Sequence, residues 1–255
     1  MQLWEKEQIQ TLLPAIGVMV ILAIILRLTL GKREEKVRRI PLQIIAVILL
    51  LLEVGKQTLS IMRGYSLYHI PLHYCSLFLY VLPVMAFYNG KYKQKVNAIG
   101  AGICMALTLM MLIYPGIIYS GGNVRAYFTD FFSFHTVTFH NVAMFALPVI
   151  LLLDLHTHQK GDGKAVAIFA LCFAVAAGSM AQILKTNFAN FYSCNVGPLE
   201  TVRQNMQAAI GIVPTQIIYV AIVAALHIGF TVLSYELFRL AKGWLKSGAK
   251  EKAAV

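Results

Sequence analysis

Long apolar runs dominate the chain and fall near 12–30, 40–60, 69–88, 95–114, 133–153, 165–186 and 212–238. Each is close to the roughly 20 residues that a helix, rising 1.5 Å per residue, needs to cross a hydrocarbon core about 30 Å thick. The pattern predicts an all-α, polytopic membrane protein: a bundle of about seven transmembrane helices, forming a single transmembrane domain over residues 1–255. Polar residues crowd the first turns of the third and fifth runs. The first run follows Trp4-Glu5-Lys6-Glu7 instead of a basic segment, and no small-x-small cleavage site follows it. It is therefore expected to be a retained span and not a signal peptide.

Composition agrees with lipid as the solvent. Only 13% of residues are charged and 58% are hydrophobic, against roughly 25% charged in soluble domains. The net charge of +11 would suit a nucleic-acid partner if the cations formed a patch. They lie in loops beside the apolar runs instead, which points to membrane lipid as partner and to no nucleic acid. The segments 32–39, 91–95, 160–164 and 239–252 hold fifteen of the 22 Lys and Arg, and the alternate loops hold five. By the positive-inside rule the richer set is cytoplasmic. Alternation then requires an odd number of spans, with the N-terminus outside and the C-terminus in the cytoplasm.

A charged group at the centre of a transmembrane helix costs roughly 2.5–3.5 kcal/mol on insertion scales, so intramembrane polar residues mark function or pairing. Glu53 follows four leucines in the second run, with Lys56 and Gln57 at i+3 and i+4 on the same helix face. Glu53 is expected to pair either with Lys56 or with a histidine. The third run opens His69-Ile70-Pro71-Leu72-His73-Tyr74-Cys75, and the fifth contains His135 and His140. Counted along helices from the outer boundary, Glu53, Cys75 and His140 fall at a common depth of roughly 9–11 Å. Tyr114, Gln182 and Gln216 lie near the outer ends of the fourth, sixth and seventh runs and are placed to complete an outward-opening pocket. The connections 115–132 and 187–211 are the longest, and long ordered loops often cover a site.

Cys75 is the cysteine that falls in this layer. A histidine that takes its proton or stabilises its thiolate makes it a nucleophile. His73 at i−2 points to a different helix face, so His140 or His135 is the expected partner, with Glu53 orienting the ring as the third member of a triad does. His73, Lys56, Tyr114, Gln182 and Gln216 would contact substrate. The alternatives for Cys75 are a structural thiol or a disulfide with Cys194. Cys104 and Cys172 fall among apolar neighbours, as small hydrophobes do. No zinc-ligand spacing is present, and neither metal nor cofactor is expected.

These residues carry a resemblance. Pro71 followed by Leu72-His73-Tyr74-Cys75-Ser76-Leu77, the run Phe134-His135-Thr136 to His140, and Lys185-Thr186-Asn187-Phe188 resemble the YwaF family of bacterial integral membrane proteins. The resemblance extends from about the second run to the seventh, and implies a multi-pass protein of the bacterial plasma membrane. More distantly, the chain is similar to a eukaryotic transmembrane cysteine acyltransferase of ether phospholipids and to androgen-induced membrane hydrolases that act on lipid esters. By that resemblance Cys75 matches the nucleophile, and His140, with Pro148 following in the same span, is the first choice for the histidine before His135. Asn187 is a substrate contact on the same basis. The acyltransferase carries Asn-Pro before its cysteine, where this chain has His73-Tyr74.

Three functions are compatible with these features. The first is a lipid acyltransferase or lipid-ester hydrolase using a Cys-His pair. The second is a transporter or binding module for a small solute, against which no paired broken helices occur in matching halves. The third is an accessory membrane protein without chemistry.

Overall fold

A computed structural model describes residues 4–251, and their side chains except at 117, 246 and 248–251. Among the described residues there are helices and turns and no strands. The helices are α1 (Lys6–Leu30), α2 (Glu35–Arg38), α3 (Ile40–Met62), α4 (Leu77–Phe87), α5 (Lys93–Ile113), α6 (Gly121–Arg125), α7 (Phe131–Leu152), α8 (Asp162–Leu184), α9 (Gly197–Ile210) and α10 (Ile212–Glu251). Among the described residues, six segments are long and apolar enough to cross a membrane: α1, α2 with α3, α5, α7, α8 and α10. The chain is therefore a multi-pass, all-helical membrane protein.

The third apolar run departs from expectation. In place of a full helix over 69–88, it forms two single 3₁₀ turns, Leu67–His69 and Tyr74–Ser76, and then the eleven-residue α4. Pro71 is the local cause. A proline disfavours the α region for the residue before it, and Ile70 accordingly has ψ 129°; His73 is also extended, with ψ 157°. The helical part, Tyr74–Phe87, is about 21 Å long at 1.5 Å per residue, too short to span alone.

Non-helical backbone at membrane depth is tolerated where protein groups satisfy its carbonyls. Here Gln57 Nε2 donates to the His69 carbonyl at 2.8 Å, His73 Nε2 to Tyr68 at 3.0 Å, and the Tyr80 hydroxyl to Pro71 at 3.0 Å.

Hydrogen bonds show that this segment still passes from one end of the bundle to the other. At one end, Arg39 donates to the carbonyls of Met85 and Tyr88, Arg38 to Leu153, and Arg27 to Leu152. Lys93 pairs with Glu35, Lys95 with Asp162 and Lys242 with Asp154. The loops rich in Lys and Arg thus gather at a common end. At the opposite end, Arg125 meets Glu7 and Arg63 meets Asp130. Seven segments therefore join the two ends, six as full helices and one as a half-helix with an irregular entry.

Helix α5 lies at the centre, against α4, α7, α8 and α10. Its buried face is built from Ala98, Gly100, Ala101, Gly102, Cys104 and Ala106. Small residues let helices approach where there is no hydrophobic drive from water. A Cβ on Gly102 would lie 3.2 Å from the Tyr235 Cβ on α10. By contrast α1 and α10 present most of their apolar surface outward, as lipid-facing helices do.

Candidate functional site

The polar residues of α3 occupy one face at i, i+3, i+4 and i+7, and the structure uses all four. Glu53 Oε1 accepts from Lys56 Nζ at 2.8 Å and from Gln57 Nε2 at 2.6 Å. Glu53 Oε2 lies 3.5 Å from His135 Nε2 on α7. Glu53 therefore takes both of its expected partners, the lysine along its own helix and a histidine across the bundle. Gln57 accepts in turn from the Tyr65 hydroxyl, and Ser60 bonds the His69 ring, which stacks on Phe132. The irregular segment 63–73 is thus tied to the start of α7 through α3.

Cys75 lies in the 3₁₀ turn that opens α4, half-buried. It does not lie six residues down a continuous helix, because Pro71 prevents that helix. The shared depth computed for Glu53, Cys75 and His140 therefore has no helical ruler on the Cys75 side. Among the described residues no hydrogen bond joins the Cys75 thiol to His135 or His140. Cys75, Cys104, Cys172 and Cys194 are all free thiols, so the disulfide alternative between Cys75 and Cys194 is overturned.

His140 has a defined role at one nitrogen. Its Nδ1 is 2.7 Å from the Thr136 carbonyl, which only accepts, so Nδ1 carries the proton. The Nε2 of a neutral ring is then a lone-pair acceptor, and here it is buried without a partner. A neutral imidazole with a free lone pair can act as a base once a proton donor comes within hydrogen-bond reach.

The other expected residues divide. His73 is spent on the Tyr68 carbonyl, with its ring edge-on to Phe188 at 5.7 Å. Asn187 Oδ1 accepts from the backbone of Tyr192 and Ser193. Gln182 donates to the Phe191 carbonyl, and Gln216 to Tyr192. These three side chains shape the loop 187–196. Tyr114 is half-buried at the end of α5 and makes no side-chain hydrogen bond among the described residues. Beyond this loop, Arg203 pairs with Glu200 and holds its carboxyl down at about 2.

Two features were not anticipated. His227 on α10 packs its ring against Tyr74 at 5.4 Å and Phe191 at 5.2 Å, next to the cysteine turn. Nothing in its apolar neighbourhood distinguishes it from a core histidine. A second polar cluster occupies the cation-rich end. Asp162, fully buried, accepts from Lys95 Nζ at 2.7 Å, Gln159 N at 2.7 Å and the Tyr235 hydroxyl at 2.9 Å. Its carboxylate also has His156 Nε2 at 3.5 Å. Burial, offset in part by Asp162, pushes the His156 imidazole down to about 4. The sequence signal was available in His156-x-His158-x₃-Asp162, but it falls in a short loop outside the expected pocket.

Among the described residues no three His, Cys, Asp or Glu side chains are grouped so as to hold a metal ion. An apolar groove of about 630 Å³ lies between α8 and α10, with Gln182 and Gln216 in its wall. The family model of the TMEM164 family matches residues 3–232. Comparison with curated proteins and with solved structures gives no match.

Proposed function

The chain belongs to the TMEM164 family, and from that premise we propose that it transfers or hydrolyses acyl groups of membrane lipids, with Cys75 as nucleophile and His140 as general base. The observation that carries the reading is the buried, unpartnered Nε2 of His140. The likeness of Cys75 to the nucleophile of the ether-phospholipid acyltransferase supports it. So does the pairing of Glu53 with His135, which lies on α7 with His140.

In this mechanism His140 Nε2 takes the thiol proton and the sulfur attacks the ester carbonyl of a lipid. The ester C–O bond breaks, the proton passes from His140 to the departing alkoxide, and a thioester remains on Cys75. A second lipid hydroxyl, or water, then attacks the thioester carbonyl and gives its proton to His140. The new ester, or the free acid, leaves and the thiol is restored. Glu53, Lys56 and His135 set the charge around the site, and His73, Tyr114, Asn187, Gln182 and Gln216 shape its surroundings. In this reading the cation-rich end is cytoplasmic by the positive-inside rule, and Cys75 works from the outer half of a bacterial plasma membrane.

The test is the covalent intermediate. Protein reconstituted with a lipid carrying a radiolabelled acyl chain is expected to retain label that hydroxylamine releases, and Cys75→Ala to retain none. Equal, hydroxylamine-resistant label on wild type and Cys75→Ala overturns the mechanism. Solute uptake by reconstituted vesicles that survives loss of Cys75 would favour transport instead.

A further inference from the structure

The groove between α8 and α10 has a shape that needs an occupant. Its floor is made of small residues, with Ala174 and Gly178 on α8 and Ala224 on α10, and Ala221 stands at its exposed edge. The larger apolar side chains stand at the rims and leave about 630 Å³ open between the helices. That volume is within the range of ligand pockets, about 300–1,000 Å³. The rims are apolar and outward-facing: Leu171, Val175, Val213 and Ile217 are 49%, 61%, 69% and 66% exposed.

Length and polarity select the ligand. The groove runs along α8 from Leu171 to Gln182, which is about 16 Å at 1.5 Å per residue. That is half of the ~30 Å hydrocarbon core, the depth of one leaflet. One end is polar, where the Gln182 and Gln216 amides donate to the loop carbonyls of Phe191 and Tyr192. Arg203 donates to Gln216 and pairs with Glu200 just beyond. The other end, toward Leu171 and Ala224, is wholly apolar. A body that is apolar over one leaflet and polar at the membrane boundary is a single-leaflet lipid.

We propose that this groove is a binding site for one acyl chain of a glycerophospholipid, taken laterally from the leaflet on the Gln182–Gln216 side, with the headgroup at the loop 187–196. The site serves the chemistry proposed above as a substrate site but does not depend on it. A line of touching rings leads from the groove toward the cysteine turn. Phe191 packs 3.4 Å from a Cβ placed on Gly178, stacks on His227, and His227 meets Tyr74, the neighbour of Cys75.

The test uses the full chain in nanodiscs, with a phosphatidylcholine carrying a photoactivatable diazirine in one acyl chain. It is run in the Cys75→Ala background, so that occupancy is read without turnover. Cross-links are expected to concentrate on peptides of α8 and α10, to saturate, and to be competed by unlabelled phospholipid. Ser179→Trp and Ala221→Trp, at two exposed positions in the groove, should each lower the α8–α10 yield at least tenfold while the yield on α1 stays constant. Labelling spread evenly over α1, α8 and α10, or unchanged by both tryptophans in folded protein, overturns the site. If the groove labels as expected but wild type forms no thioester, the binding site stands and the acyl-transfer mechanism fails.

Discussion

His135 on α7 brings its Nε2 to 3.5 Å from Glu53 Oε2 on α3, while the other carboxylate oxygen holds Lys56 Nζ at 2.8 Å. One buried acid thus pairs with a lysine on its own helix and has a histidine from another helix beside it, and this joint holds α3 against α7 near the cysteine turn.

Removing the acid should cost far more than removing the whole pair. Glu53→Gln leaves Lys56 buried without its counter-charge, and breaking a buried pair from one side costs about 3–5 kcal/mol. Thermal unfolding in detergent should show a large fall in Tm for Glu53→Gln. Glu53→Gln combined with Lys56→Met should recover most of it. A double variant no more stable than the single one would mean the pair is not coupled.

Loss of the base should be separable from loss of the fold. His140→Ala is expected to lower lipid acyl turnover by about 10²–10⁴, the usual worth of a positioned general base. His135→Gln, which keeps a polar side chain beside Glu53, should have a smaller effect. The check is turnover of a labelled lipid by protein whose Tm matches wild type. Equal losses for the two variants would shift the base assignment to His135 or to neither.

Acid should destabilise the cation-rich end through His156. Its folded pKa of about 4 lies below the ordinary histidine value of about 6.5, so the unfolded chain binds the proton first. Its contribution is intact above pH 6.5, is lost as pH falls from 6.5 to 4, and is constant below that, with a slope of up to about 1.4 kcal/mol per pH unit. Asp162, Asp154, Lys242 and His158 are the charged and titratable groups around the ring, and Tyr235 meets it at 3.2 Å. In Tm measurements across this range, the slope should be shallower for His156→Gln than for wild type. Parallel curves would remove His156 as the cause.

Close packing at the centre predicts a further loss. Gly102→Leu would drive a side chain into α10, where even a Cβ lies 3.2 Å from Tyr235 Cβ and 3.5 Å from the Thr231 carbonyl. Overpacking of this kind costs about 1–3 kcal/mol, read as a lower Tm. Gly229, with open space around its Cβ position, should accept Leu with little change.

Helix positions were legible from hydropathy because a chain in lipid must satisfy every backbone group locally, and a span therefore needs a long unbroken apolar run. Leu49 to Leu52 ahead of Glu53, and the run through Ala143 to Ile150, need no partner to be recognised as helix. The segregation of cations was equally visible: Arg38, Arg39, Lys95 and Lys242 all prove to share one end of the bundle. Pro71 was visible too. Whether it would kink a helix or replace one with turns depended on Gln57, His73 and Tyr80 being there to take up the freed carbonyls.

Pairing across helices was legible only in part: a histidine was expected beside Glu53, but which one was not decided. Depth along a helix follows from counting residues, but the direction a side chain faces relative to other helices follows from how the helices pack. Glu53 meeting His135, and Asp162 gathering Lys95, Tyr235 and His156, are set by rotations and crossings that a linear pattern does not encode. The groove between α8 and α10 belongs to the same class, since Gly178 and Ala221 are merely small until two helices place them opposite each other. Local chemistry along one chain segment is inherited from its residues, whereas a site is a meeting of segments, and only packing creates it.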